Sequence, residues 1–592
     1  MLLALLLPCR FLWPLKANFY VDWYNHKWTI GYFGEYFRHH GVMPAVFNTT
    51  QWGGMATPIF YGYLAYPILG IFSSVLAPGT VIRLVAVFLF AAQYHWVNQA
   101  LRRLEAPRWM AQSVACLVIW ATYPLTNLYN RSALTEFVAT SLMTCALSLA
   151  ILLYYSTSKA LERRYASWMV LCLVISAGTH PITALFGIPF FCIIAVILVQ
   201  ALGRNPERRR SILYSLAPGI FAGLVCLAPW LVATAKYAKH LAIRRAVPAV
   251  VFFPESLDNW LTRFYPIPLD SRVQPGIPLS EISTPYLDAQ VNVSLLILFL
   301  ALAVGALSAR RKLGPSGRFF ATIAIPALLF AFFTWISLSP ASYHYLPAIA
   351  AMIQFAYRAV TYQNFALLLG IILLLIAIQR SRSPHAAGIL NHPALSVVAA
   401  GCILLSAYGV VLKWPHIRAS RSNVGSESSL LIPSEAERRE LIDLPLVYYG
   451  VYDYTAGDRF VPLTVAEEGK VSEVNFNFDS QDNFGAALPA EINDAETRWV
   501  RTNIQAFPWN RIEIDGREFS KSDVRVYDAV GIVLRIPAGS HRLVFRFVPD
   551  RVWEILRPVS LCTLFGWLLI ETAFCAIGSL RRGYANLFGS CN

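Results

Sequence analysis

Charge is what this chain of 592 residues has least of. Only 14% of its residues are Asp, Glu, Lys or Arg, against about 25% in an ordinary soluble domain. With a mean hydropathy of +0.50, that deficit excludes a secreted or cytosolic globular enzyme and indicates an integral membrane protein. Cysteine patterning is missing as well. There is no CxxC and no Cys/His spacing of the kind that holds a metal. Cys116, Cys145, Cys172, Cys192, Cys226, Cys402, Cys562 and Cys575 lie in apolar runs, where a thiol behaves as a small apolar group. Residues 414–556 contain no cysteine, so disulfides do not hold that segment. No basic stretch precedes Leu2 to Leu15 and no A-x-A site follows, which argues against a signal peptide. That run is shorter than the roughly 20 residues of a comfortable span, and the expectation is a first transmembrane helix whose amino-terminal end is missing. No internal repeat or inverted symmetry is visible.

What the chain does have is a set of apolar runs with basic residues between them. Spans are expected near 80–101, 109–128, 133–154, 166–179, 181–201, 212–234, 291–309, 318–338, 361–378, 394–413 and 557–579. The net charge of +15 comes largely from loops. Arg102/Arg103, Arg163/Arg164, Arg208 to Arg210, Arg310/Arg311/Lys312, Arg380/Arg382 and Arg581/Arg582 fall in alternate loops, which the positive-inside bias places in the cytoplasm. No basic patch sits on a soluble domain, so nucleic acid is not an expected partner. Counting the first helix, the pattern predicts about twelve helices with both termini cytoplasmic. Residues 58–78 are apolar, yet a span there would put Arg102/Arg103 outside. They are therefore read as an interfacial or re-entrant part of a large first outer loop, 16–79. A second outer loop covers 235–290. A third segment, 414–556, alternates apolar and polar residues in "RIEIDGREF" and "GIVLRIPAGSHRLVFRF", with a hairpin-type Asp515-Gly516. The expected fold is thus a polytopic α-helical membrane domain over 1–413, an all-β sandwich over 414–556, and a last helix with a short tail over 557–592.

Four constellations carry candidate chemistry. In "FYVDWYNHKWTIGYFGEYFRHHGVMP", Asp22 and His26 are four residues apart. On a helix they share one face, which suits a carboxylate base with a histidine neighbour or two ligands of a divalent metal. The bland alternative is polar groups on a helix lying in the interface, and His39 and His40 are read that way. "YNRSALTEF" sets Arg131 in an outer turn and Glu136 at the start of a span. An acid at that depth requires a partner or a polar cavity, and Arg131 is the local partner. In "GTHPITALF", His180 lies in another outer turn, either as a site residue or as a cap before Pro181. "YHYLPAIAAMIQFAYRAV" places Gln354, Tyr357 and Arg358 within one helical turn at an outer end. An arginine entering from that side runs against the usual bias and suits an anion such as a lipid phosphate. The acids of the second outer loop, Glu255, Asp258, Asp270, Glu281 and Asp288, could form a substrate lid or simply be solvated.

These stretches resemble a known family. Asp22 followed by "HHGVMPAVFNTTQWGGMATPIFYGYLAYPI" is similar to the first outer loop of bacterial GT-C-type membrane proteins. The match is to the group named for a "6-pyruvoyl-tetrahydropterin synthase-related" membrane domain, similar to YfhO-like proteins. Asp22, Gly41, Pro44, Gly54, Pro58, Phe60, Tyr61 and Tyr66 fit its pattern, while Gly62 stands where that pattern has proline. "RSALTEF" resembles its R-G-A-x-x-E stretch and "QFAYR" its Q-F-P-W-R. "PWNRIEIDG" through "HRLVFRF" resembles the outer β-domain of YfhO-like members. The resemblance implies a glycosyltransferase that takes a sugar from a polyprenyl-phosphate carrier on the outer face of the inner membrane and passes it to an envelope glycan or lipid. It implies Asp22 as the base or a metal holder, with Mg or Mn as the candidate metal. Arg358 and Gln354 would bind the donor, with Arg131, Glu136 and His180 shaping the pocket. Two other readings stay open: a flippase of lipid-linked sugars, and a non-catalytic envelope-assembly scaffold.

Overall fold

In the computed structural model the described residues are 1–12, 18–19, 22–48, 53–202, 205–237, 263–264, 289–308, 317–380, 388–419, 421–422, 461–462, 471–476, 487–526 and 531–588. Among them, seven helices are long and apolar enough to cross a membrane: Pro78–Arg103, Leu134–Tyr154, Pro206–Tyr237, Phe320–Leu338, Ala356–Gln379, Pro393–Arg418 and Arg551–Cys575. Shorter apolar helices cover Leu2–Leu12, Arg108–Ile119, Pro181–Val196 and Val293–Ser308. The chain is a polytopic α-helical membrane protein with a β-rich domain towards its C-terminus, outside the spans. Local signals set several helix ends. Pro78 opens one helix in its first turn, where a missing N–H costs nothing. Ser158 caps another by accepting from the Leu161 amide.

The expected span 109–128 is not one helix. It ends at Ile119, and Ala121 turns extended at ψ 135°. A short helix Thr122–Leu125 restarts with Pro124 in its first turn. A π-helical turn, Thr126–Asn130, then closes with the Arg131 amide donating to the Thr126 carbonyl at 2.8 Å. In an unbroken helix Pro124 would offer no N–H to the Trp120 carbonyl, and its ring would clash with that carbonyl, so a break at Ala121 has a local cause.

Residues 58–78 contain two short helices, Thr57–Phe60 and Ala65–Ser73, too short to span. The helix of the opening stretch, Asp22–His40, does not lie on a membrane surface. Every residue from Trp23 to Glu35 is buried in the protein. That corrects the interfacial reading, and the reason is close packing. A Cβ at Gly34 would meet the Ser73 backbone at 2.8 Å, and one at Gly70 would meet Phe33 Cβ at 2.6 Å. Two glycines thus let the Ala65–Ser73 helix lie directly on the Asp22–His40 helix. His39 stays at the open end, where its Nε2 reaches Glu35 at 3.0 Å. The acids named in the second outer loop lie outside the described residues.

The β-rich domain has two sheets. One has five strands in the order Val461–Pro462, Val524–Val526, Ile532–Ile536, Arg498–Thr502 and Val471–Val474. The other has four, in the order Ala487–Asp494, Gly539–Phe547, Asn510–Ile514 and Arg517–Glu518. Both sheets send apolar residues into one core, with Val500, Leu534, Leu543 and Phe545 fully buried. Asp515 and Gly516, both at positive φ (48° and 78°), make the two-residue turn between Ile514 and Arg517. The domain is stitched to the segment that precedes the Thr57–Phe60 helix. Gly53 donates to the Asn503 carbonyl at 2.8 Å and accepts from the Gln505 amide at 2.9 Å, and Asn510 Nδ2 donates to the Gly54 carbonyl at 2.7 Å.

Candidate functional site

The site is built around one carboxylate. Glu136 opens the Leu134–Tyr154 helix and is buried. Its Oε1 accepts from Tyr123 Oη at 2.8 Å and from Asn127 Nδ2 at 3.1 Å. Its Oε2 accepts from Arg131 Nη1 at 2.8 Å. Arg358 Nε lies 3.1 Å from the same Oε2, close enough for an ion pair but off-line for a hydrogen bond. A buried carboxylate this fully occupied is no proton carrier. It holds two guanidiniums in place.

Each arginine has a second tether. Arg131 Nη1 also reaches Asn127 Oδ1 at 3.1 Å. Arg358 Nη1 donates to Gln354 Oε1 at 2.8 Å and to the Ile353 carbonyl at 3.0 Å. Phe355 stands between them, 5.7 Å from the Arg131 guanidinium and 5.1 Å from that of Arg358. Tyr357 stacks on Phe355 with centroids 5.3 Å apart. Among the described residues, Nη2 of Arg131 and Nη2 of Arg358 take no partner, and neither is sealed in the interior. Two cations that share the Glu136 carboxylate, with donors left over, make this a site for a further negative group.

The backbone here is unusual at three points. The π-turn brings Arg131 to Glu136. Ser132, just after it, sits at φ +55°. Gln354 has φ 62° and ψ −47°, with the Phe355 amide donating to the Ile353 carbonyl at 2.7 Å. That is a γ-turn of the strained, positive-φ kind. The segment expected to place Gln354, Tyr357 and Arg358 on one helical turn is instead two 3-10 helices, Ala348–Ile353 and Ala356–Ala359, joined by this turn.

Asp22 is the half-buried first residue of its helix. Among the described residues it makes no ion pair within 4 Å, yet both arginines are close enough to act on it. Burial pushes its carboxyl above the usual range, and the charges of Arg131 and Arg358, with a hydrogen bond to Asn25, pull the other way. His26, one turn on, is buried and already bonded at both nitrogens. Its Nε2 accepts from the Leu134 amide at 3.2 Å, so Nδ1 carries the proton and donates to Tyr66 Oη at 2.8 Å. Burial lowers its pKa to about 3. His26 is thus a neutral brace between the Asp22 helix, the Ala65–Ser73 helix and the turn that follows Arg131. His180 is buried and accepts from the Thr183 amide at 3.2 Å, beside Tyr61. It caps the helix that follows it and lies near enough to Glu136 to share its electrostatics.

Divalent metal chemistry does not suit these donors. Among the described residues no three of His, Cys, Asp or Glu come together, and His26 has no free nitrogen. Tyr123, Asn127, Phe355 and the brace partner Tyr66 are additions beyond the sequence-derived site. Tyr123, Asn127 and Arg131 recur every four residues in "YPLTNLYNR", a one-face spacing that identifies the first two.

No family model matches the chain, and no curated protein matches it. Among solved structures there is a distant, partial likeness to ArnT from Cupriavidus metallidurans in its apo crystal structure. It has 14% identity, covers 64% of this chain and 76% of that one, and has a TM-score of 0.26. At that identity and score the likeness assigns neither family nor activity to this chain.

Proposed function

We propose that the chain is a GT-C-type membrane glycosyltransferase with about twelve transmembrane helices, both termini cytoplasmic and a β-sandwich in the periplasm. It moves a sugar from a polyprenyl-phosphate donor to an envelope glycan or lipid at the outer face of a bacterial inner membrane. One observation carries the reading. A half-buried acid, Asp22, lies within electrostatic reach of two arginines that share a single carboxylate and keep free donors. The family resemblance of the same three stretches points the same way.

Asp22 takes the proton from the acceptor hydroxyl. The acceptor oxygen forms a bond to the anomeric carbon as the bond from that carbon to the phosphate oxygen breaks. The lipid phosphate leaves with the bonding pair, and Arg131 and Arg358 meet its growing charge through Nη2. Burial that raises the basicity of Asp22 helps it accept the proton, while the arginines keep it ionised beforehand. Gln354 and Glu136 hold the guanidiniums, and His26 and His180 fix the surrounding helices.

The test is transfer by the full-length protein in lipid nanodiscs, using a polyprenyl-phosphate-linked sugar. Asp22→Asn is expected to lower turnover by about 10²–10⁴-fold while leaving donor binding in place. Wild-type turnover in Asp22→Asn would remove Asp22 from the base role. Arg358→Ala is expected to weaken donor binding about tenfold or more, and unchanged donor affinity would remove it from the phosphate site.

A further inference from the structure

A second basic pocket lies at the opposite end of the helical bundle. The Leu134–Tyr154, Lys159–Thr179 and Pro206–Tyr237 helices pack side by side. Tyr154 is about 27 Å along its helix from Glu136 at 1.5 Å per residue. Near that far end is a cavity of about 650 Å³, with Lys159, Arg163, Arg208, Arg210, Glu207 and Tyr214 in its wall.

The cations divide into two kinds. Arg208 is committed to the fold. Its Nη1 pairs with the buried Glu162 at 2.6 Å, and its Nη2 donates to the Ser156 carbonyl at 2.8 Å and hydroxyl at 2.7 Å. Lys159, Arg163 and Arg210 make no ion pair or side-chain hydrogen bond among the described residues, and all three are exposed. Against the single acid Glu207 they leave two positive charges on the cavity wall. Two helices also begin at the rim, at Lys159 and Pro206, and their amino-terminal dipoles add to the positive potential.

The occupant is indicated by what adjoins the pocket. Tyr214 is 77% exposed on the rim, and Leu213, Phe221 and Leu224 continue along the same helix with more than half of their surface open. In a span, that surface is lipid-facing, and an aromatic at its end sits at headgroup level. We propose that this pocket binds the phosphate headgroup of an anionic phospholipid, with Arg163, Arg210 and Lys159 on the phosphate and the acyl chains along Leu213, Phe221 and Leu224. A soluble phosphate compound would use the cations but not the apolar strip. Arginine forks match phosphate geometry, and a concave site gathers charges that a flat basic loop spreads out.

The test compares full-length protein in a neutral detergent supplemented with phosphatidylglycerol, phosphatidylcholine or inorganic phosphate, read by thermal unfolding and by lipid retained in native mass spectrometry. Phosphatidylglycerol is expected to raise the unfolding midpoint and be retained, with little effect from the other two. A variant combining Lys159→Gln, Arg163→Gln and Arg210→Gln is expected to lose both effects and keep the lipid-free midpoint. Should that variant fold poorly, Arg163→Gln alone is expected to retain several-fold less phosphatidylglycerol. Equal effects of the two lipids, or an undiminished phosphatidylglycerol effect in the variants, would overturn the site. A response to inorganic phosphate as large as that to the lipid would overturn the lipid as its occupant.

Discussion

Arg131 Nη1 donates to Glu136 Oε2 across 2.8 Å from a position five residues earlier in the chain. A continuous α-helix brings residues three and four apart together, not five. The π-turn ending at Asn130 and the positive-φ Ser132 break the helix between the two. The pair therefore spans a corner instead of lying along a helix, and it leaves Nη2 of Arg131 without a partner among the described residues. Backbone departures of this kind persist where packing over-determines them, and they gather at functional sites.

Removing the shared carboxylate strands both cations. Glu136→Gln is expected to destabilise the protein by about 3–5 kcal/mol, the usual result of leaving buried charge unpaired. It is also expected to disorder the donor site. Thermal unfolding together with donor binding checks this, and a stable variant with normal binding would show that the arginines hold their positions without Glu136.

Asp22 has a pKa raised by burial, with the arginines working against that rise. A general base must be ionised, so turnover is expected to fall with decreasing pH along a limb above the ordinary carboxylate value of about 3.9. Arg358→Gln removes a positive charge that favours the ionised form, so the limb moves to higher pH. A limb that stays put in the variant would place another group in control. The sign for stability is the reverse. An acid with a raised folded pKa costs stability above that pKa, and the cost is relieved as pH falls through it.

Gln354 separates backbone strain from side-chain contact. Its φ of 62° is uncomfortable for any residue with a Cβ, at a cost of order 1–3 kcal/mol. Gln354→Gly removes that strain and the 2.8 Å contact to Arg358 together, whereas Gln354→Ala removes only the contact. Both are expected to weaken donor binding to a similar degree, with Gln354→Gly the more stable in thermal unfolding. Equal stability of the two would mean that the turn carries no strain.

The β-rich domain is coupled to the membrane domain through Gly54. This residue has φ +70°, and an added Cβ would overlap the Asn510 side chain. Gly54→Ala is expected to lose the Asn510 hydrogen bond and open the joint between the two domains. Faster limited proteolysis near residues 47–56, with the spans intact, would be the sign. An unchanged digestion pattern would mean that the other contacts hold the joint alone.

Much of the membrane domain was legible because the signals for it are local. A long apolar run has few alternatives to a span, and the expected runs at 133–154, 318–338 and 361–378 lie within a residue or two of the helices Leu134–Tyr154, Gly317–Leu338 and Val360–Arg380. The Asp515-Gly516 turn was equally readable, since positive φ at two successive positions selects residues of that type. The break at Ala121 was available from Pro124 but was outweighed by the apolar content around it. The burial of Asp22–His40 was not readable. Its composition is polar and aromatic, and only the approach of the Ala65–Ser73 helix at Gly34 and Gly70 makes it an interior element.

The sequence by itself determined that this is a membrane protein, where most of its spans lie, and which residues were candidates: Asp22, Arg131, Glu136 and Arg358. Hydropathy and residue type are properties of each position and its neighbours, so they survive without the fold. Only the tertiary structure decided that Glu136 is a shared anchor, that His26 is a brace with both nitrogens spent, and that the charges of two arginines act on Asp22. Those outcomes depend on contacts across more than a hundred residues of chain, such as His26 to Leu134 and Arg358 to Glu136. No local pattern records such distances.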